Sequence, residues 1–398
     1  MPTSIPLASA IASAALLALG AAAPAMAQQV DSAGGTVRLS QKLNDTGLTR
    51  CTRDFNTFTS DCAGTGQDAE TGRDASLPGN LNGHGGFSFA KICNSGQTAG
   101  TGTCSSTAAL GSGADDWGCT YDRVTDLAWE VKTTDGGPRD VAARYTNVGD
   151  GRDGDASAFV AEVNAAGLCG ASDWRLPTSH ELQGIEDFNR AKPHPSIDSN
   201  WFPNTLVDHY WASEPFATQE STVAWVTSFI MDPRNISTTG EARTTLNGVR
   251  LVRSTATATA RPARRFALRD DEAADASSHL VWKRCSVGQS WDGTNCTGRI
   301  RKFDFGGAVA HAQQVAADTG KAWRVPNAKE LYSLVDNTRL RPAIDPDVFP
   351  DTLGDLYWTS TAYAWTATGG WAVTFNGGHT LAYYSGYQLA LRLVRDGN

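Results

Sequence analysis

Hydrophobic spacing switches between two periods along this chain, and it does so twice. Phe159, Val163 and Ala166 stand at i, i+4 and i+7 and are followed by Gly167. That spacing predicts a helix with one apolar face and a glycine cap at its C-terminus. Val309, Ala312 and Ala316 repeat the pattern ahead of Gly320. A second helix is predicted after each Trp-Arg-x-Pro. Thr178-x-x-Glu181 and Asn327-x-x-Glu330 have the form of a capping box, in which the cap side chain and the third-position carboxylate each satisfy a free backbone N–H. The shared glutamate therefore has a structural task before any catalytic one. Beyond these helices the period falls to two. Trp371-Ala372-Val373-Thr374-Phe375 lies among alternating aromatic, β-branched and polar residues with Gly-rich turns, the pattern of short antiparallel strands. Hairpin-like openings around Leu127-Ala128-Trp129 and Leu280-Val281-Trp282 precede each set. Two helices followed by a strand-rich half make an α+β module.

The modules are copies of one another. Trp174-Arg175-Leu176-Pro177, Ile197-Asp198, Phe202-Pro203, Tyr210-Trp211, Trp225 and Arg250-Leu251-Val252-Arg253 return as Trp323-Arg324-Val325-Pro326, Ile344-Asp345, Phe349-Pro350, Tyr357-Trp358, Trp371 and Arg392-Leu393-Val394-Arg395. The offset drifts only from 149 to 142 residues. A repeat of that length is a whole domain, since solenoid units run about 20–50 residues. Residues present in both copies are expected to build the fold; residues found in one copy need a separate explanation.

Composition then sets the address. The first 27 residues carry no charge and form an apolar Ala/Leu run ending Ala25-Met26-Ala27, as a secretory leader does, although no Lys or Arg precedes the run. No later segment reaches about 18 consecutive apolar residues, so no transmembrane helix is expected. The formal net charge of −8 argues against nucleic acid as a partner, because such binding rests on neutralising phosphates. Eight cysteines, none in a CxxC pair, suit an exported protein with a disulfide framework and fit no common zinc-ligand spacing. Comparing the copies suggests the pairing. Cys119 and Cys169 occur only in the first copy and Cys285 and Cys296 only in the second, so each set is expected to pair within itself. Proximity then leaves Cys51 with Cys62 and Cys93 with Cys104. The expected layout is a leader (1–27), a Gly-, Ser- and Asp-rich extension (28–115) packed on the first module, a first module (116–254), a Thr/Ala/Arg/Pro linker (255–263) and a second module (264–398).

Leu280-Val-Trp-Lys-Arg-Cys285, Ser-Trp291-Asp-Gly-Thr-Asn-Cys296, Trp-Arg-Val-Pro326-Asn-Ala-Lys-Glu-Leu331 and the later landmarks resemble the Lcl C-terminal domain family, named for the C-terminal module of a bacterial collagen-like adhesin. The first copy is similar through Leu127-Ala-Trp-Glu-Val-Lys132 and Asn164-Ala-Ala-Gly-Leu-Cys-Gly-Ala-Ser-Asp-Trp-Arg-Leu-Pro177. Leu43-Asn-Asp-Thr-Gly47 and Gly72-Arg-Asp-Ala75 look like extensions found in such secreted proteins. The resemblance implies two tandem C-type-lectin-like domains, exported to the periplasm, cell surface or exterior, and adhesion through sulfated or other surface polysaccharides. Two departures stand out. Asp126 and His279 occupy a turn position where the family usually has Gly, and no collagen-like tract is present.

Candidate residues follow from what the copies do not share. Tyr363, Trp365, Tyr383, Tyr384 and Tyr387 surround Gly-rich turns in the second copy only, and aromatic faces of this kind can stack on sugars. A sulfated ligand would need positive charge, for which Arg261, Arg264 and Arg265 near the linker are the candidates; Arg250, Arg253 and Arg269 flank them, and Asp270, Asp271 and Glu272 follow at once. Asp198 and Asp345 are shared and could ligate calcium, with turn-capping the preferred reading; no other cofactor or metal is implied. The shared Arg175/Arg324 and Arg253/Arg395 suit ion pairs. No histidine is shared, and no two shared carboxylates are left over for a glycosidase. The sequence therefore reads as a non-enzymatic glycan-binding protein. The alternatives are an envelope or assembly component without a small ligand, and an enzyme of the formylglycine-generating type, which would need reactive thiols.

Overall fold

A computed structural model describes residues 28–30, 36–38, 43–77, 79, 82–190, 193–217, 222–230, 237–255 and 265–397. The leader, most of the linker, Arg261 and Arg264 lie outside the described residues. Residues 1–40 form a unit of their own, in which β1 (Gln28–Val30) and β2 (Thr36–Arg38) make an antiparallel hairpin. The rest of the chain is a second unit, mixed and strand-rich, with few helices and several small antiparallel sheets. It opens with a short pair, β3 (Cys51–Thr52) and β4 (Phe58–Thr59), and a one-turn helix, α1 (Gly72–Ser76).

The repeats share an order of elements, apart from a small ribbon found only in the second and an edge strand that the extension lends to the first. The first has β5 (Phe89–Cys93), β6 (Trp117–Asp122), β7 (Leu127–Glu130), α2 (Ala156–Ala166), α3 (Ser179–Gly184), β8 (His209–Pro215), β9 (Val223–Ser228), β10 (Thr238–Ala242) and β11 (Val252–Ser254). The second has β12 (Phe266–Arg269), β13 (Glu272–Asp275), β14 (Leu280–Lys283), a small β15 (Gln289–Trp291) and β16 (Cys296–Gly298) ribbon, α4 (Phe305–Thr319), α5 (Ala328–Tyr332), β17 (Leu356–Ala362), β18 (Gly369–Thr374), β19 (His379–Tyr384) and β20 (Val394–Asp396). The four-stranded sheets run β5-β6-β7-β11 and β12-β13-β14-β20, and the three-stranded ones β8-β9-β10 and β17-β18-β19. Even irregularities coincide: the register shifts between Trp211 and Pro215 and between Trp358 and Ala362, four residues past each paired tryptophan.

Matched residues do matched work. Both capping boxes form, with Thr178 and Asn327 accepting from the N–H of Glu181 and Glu330. Those glutamates also bind Arg175 and Arg324 through both guanidinium arms, at 2.6–2.8 Å. Arg253 pairs with Asp173 and Arg395 with Glu272, so the expected ion pairs are present. All eight repeated tryptophans are buried, and the indole N–H of Trp211 and of Trp358 donates to the carbonyls of Tyr145 and Phe303. Asp126 (φ +57°) and His279 (φ +58°) hold the left-handed turn that glycine would favour, so their presence does not remove the turn. One helix-face expectation fails. Ala166 is exposed, because the buried stripe of α2 is Ala156, Phe159 and Val163, shifted toward its N-terminus. All four disulfides pair as expected: Cys51–Cys62, Cys93–Cys104, Cys119–Cys169 and Cys285–Cys296.

The repeats meet through corresponding elements. α3 lies against α5, where the Tyr332 hydroxyl is 3.1 Å from Ser179 Oγ and Lys329 Nζ donates to Gly184 O at 2.8 Å. β10 lies beside β19, with Ser237 N donating to Thr380 O at 3.1 Å and Gln183 to the Thr380 hydroxyl at 2.9 Å. Like meeting like is the contact expected of a two-fold homodimer, here made within one chain. The extension was expected on the first repeat, and it touches both. β5 adds the edge strand to the first repeat's sheet, while Arg50, Gly64 and Asp68 contact Ala364, Gln313 and Thr361 of the second.

Candidate binding site

The three-stranded sheet of the second repeat places its unshared aromatic residues at one end. β18 begins where β19 finishes, with Gly369 opposite Tyr384 and Gly370 opposite Tyr383. The β17–β18 turn, which carries Trp365, reaches the same end, since Ala362 pairs with Gly370. Tyr387 follows β19 directly, and its ring lies 5.5 Å from that of Tyr383, edge to face. Trp365, Tyr384 and Tyr387 are 49%, 67% and 54% exposed. Exposed aromatic residues gathered at one sheet end mark an interaction surface more often than scattered ones do. Their faces suit the C–H-rich face of a pyranose, and the tyrosine hydroxyls can exchange hydrogen bonds with sugar hydroxyls.

Beside this end sits a cation that the sequence did not single out. Arg50 of the extension donates to the carbonyl of Ala364, next to Trp365, at 2.9 Å, and its guanidinium stacks 4.4 Å from the Phe58 ring centre. Partial burial pulls the Arg50 pKa below its ordinary value, and among the described residues it forms no ion pair. A half-buried guanidinium without a carboxylate can recognise an anionic substituent by paired hydrogen bonds.

Other expected positions fall away from this surface. Tyr363 is buried, edge-on to Trp371 at 5.4 Å, because it lies on the inner side of the turn whose outer side carries Trp365. Arg265 is bound by Asp275 through two nitrogens, at 3.1 and 2.7 Å. Arg250 is fully buried and Arg253 is paired, so the linker arginines do not assemble into a basic patch among the described residues. Asp198 and Asp345 cap turns, accepting from the N–H of Asn200 and Asp347 at 3.0 Å each. Arg190 lies 3.2 Å from both Asp187 and Asp198, so Asp198 also takes part in an ion pair. The sequence also passed over Arg250 and Arg392 as core residues. Each is completely buried over a phenylalanine and donates to a backbone carbonyl and to the hydroxyl of Thr205 or Thr352.

Among the described residues no helix is long and apolar enough to cross a membrane. The family described as Lcl C-terminal domain matches residues 118–253 and again residues 272–395. No curated protein matches the chain.

Proposed function

We propose the following function from one premise: the chain belongs to the Lcl C-terminal domain family, through both of its repeats. It is an exported, non-enzymatic binding protein of the adhesin type, and its second repeat grips an acidic polysaccharide. We read each repeat as a C-type-lectin-like module. The observation that carries this reading is the set of exposed Trp365, Tyr384 and Tyr387 at one sheet end, with Arg50, which forms no ion pair among the described residues, held beside it by the Ala364 carbonyl. Stacking supplies grip on sugar rings with little demand for sequence, and a guanidinium favours carboxylated or sulfated units. Disulfides taking up all eight cysteines support export and leave no thiol for formylglycine-type chemistry.

A glycan array probed with the exported chain tests this. Retention on acidic polysaccharides, lost in a Trp365→Ala/Tyr384→Ala/Tyr387→Ala variant, is the expected result. Indifference of the array signal to that variant overturns the placement of the site, and silence across acidic and neutral glycans overturns the ligand class.

A further inference from the structure

The two extension motifs without a role, Asn44-Asp-Thr-Gly47 and Gly72-Arg-Asp-Ala75, come together in space with Gln67-Asp68. One carboxylate oxygen from each of Asp45, Asp68 and Asp74 lies within 4.8 Å of the others, and all three residues are buried. Three buried carboxylates repel one another and lose their hydration, so neutralising charge has to come from somewhere.

The nearby cations Lys329 and Arg73 feel the charge of Asp45, but their charged groups make no direct contact with a carboxylate of the cluster among the described residues. Lys329 Nζ donates to the carbonyls of Asp45 and Gly184, at 2.7 and 2.8 Å. Arg324 is taken by Glu330 and Asp396, and Arg73 Nε by Gly86 O. Among the described residues no Lys or Arg forms an ion pair with any of the three aspartates. Neutral donors go only part of the way. Asp45 accepts from the N–H groups of Thr46, Arg73 and Asp74 and from the Asn327 amide. Thr361 and Thr46 donate to Asp68, at 2.7 Å each. The single proton of the Thr46 hydroxyl faces both Asp68 and Asp74, so it can serve only one of them at a time.

Two buried oxygens are left over. Asp74, completely buried, has no hydrogen-bond partner at Oδ1, and Asn44, 2% exposed, has none at its amide oxygen. Asn44 lines a narrow cleft of about 50 Å³ together with Asp45, Gly72, Arg324, Asn327 and Glu330, so one of the three aspartates borders open space. Oxygens up to 4.8 Å apart are spaced as they would be on opposite sides of an ion with ligands at about 2.3–2.6 Å.

We infer that Asp45, Asp68 and Asp74 form a binding site for one divalent, oxygen-seeking cation, Ca²⁺ by the spacing, which locks the extension onto the second repeat. Hydroxyl and amide oxygens nearby, from Thr46 and Asn44, are of the right type to complete the shell. The inference does not depend on the glycan reading.

The test uses the full chain, stripped with EDTA and returned to chelator-free buffer at pH 7.5. Calorimetric titration with CaCl₂ is expected to give one ion per chain, and melting to rise by about 5 °C at a hundredfold excess over the dissociation constant. Asp68→Asn and Asp74→Asn are each expected to weaken binding at least about tenfold. Neither variant should unfold the stripped protein, since each relieves like-charge repulsion. Asp198→Asn and Asp345→Asn should leave binding intact. No heat and no melting shift with Ca²⁺ or Mg²⁺ in the wild-type chain overturns the inference, whatever the variants do. Undiminished binding in Asp68→Asn and Asp74→Asn also overturns it, by placing the ion elsewhere.

Discussion

At the end of the first repeat's three-stranded sheet, Glu241 stands opposite Ala224, held by His209 at 2.6 Å and by Asn247 at 3.0 Å, and Ala242 follows it. At the same register in the second repeat stand Tyr383 and Tyr384, opposite Gly370 and Gly369. One scaffold thus ties its end residue Glu241 to His209 and Asn247, and its twin leaves an exposed aromatic surface there. A few residues inward, the two copies carry the same tryptophans in the same places, Trp225 and Trp371. Duplication has kept the positions that packing fixes and released those facing solvent. The lesson is where to look for function in a doubled domain: at rim positions where a shared frame carries unlike side chains.

That comparison can be broken most forcefully in the core. Trp211→Ala and Trp358→Ala should each destabilise by about 3–5 kcal/mol in denaturant melts and should agree with one another within about 1 kcal/mol. A large inequality would mean that the halves are not energetically equivalent. Because α3 packs on α5 and β10 on β19, either change should shift one common transition.

The disulfides come next. Cys119–Cys169 spans 50 residues and Cys285–Cys296 spans 11, so the chain-entropy account gives about 4 against about 3 kcal/mol for replacing each pair with serines. The first repeat should suffer more, by about 1 kcal/mol on that account.

A pH difference is also built in. Glu186 of the first repeat is fully buried among the hydroxyls of Ser196 and Ser237, and burial pushes its pKa up to about 7. Its counterpart in the second repeat, Val335, cannot titrate. A raised carboxylate favours the folded state below its unfolded pKa, near 4.5, and that contribution is lost as pH rises through 7. Glu186→Gln should therefore flatten the pH profile of stability between 4.5 and 7, by up to about 3 kcal/mol. A profile unchanged by the substitution would show that Glu186 does not titrate in this window.

Much of this architecture was legible in the chain. Capping boxes are local, and Thr178/Glu181 and Asn327/Glu330 formed as read. Repetition identified the core tryptophans and sorted the cysteines, because a residue kept at matched spacing in both copies needs no contact map to be noticed. What stayed hidden depended on long-range packing. Nothing in the order of residues distinguishes Tyr363, turned inward against Trp371, from Trp365, turned outward two residues later. Arginine is ordinarily a surface residue, so the burial of Arg250 and Arg392 could not be read from type alone. Asp45, Asp68 and Asp74 are separated by up to 29 residues, and only the fold gathers them.

The smallest expected effect lies at the sheet end, and it bears most directly on function. The decisive measurement is calorimetric titration of an acidic oligosaccharide, chosen from the array, into three proteins: the wild type, Tyr384→Ala, and Glu241→Ala as the first-repeat control. Loss of one stacking residue at an exposed site should weaken binding roughly tenfold, about 1.4 kcal/mol, in Tyr384→Ala, while Glu241→Ala binds as the wild type does. Equal affinity in the wild type and Tyr384→Ala, or a loss confined to Glu241→Ala, would contradict the assignment of binding to the second repeat.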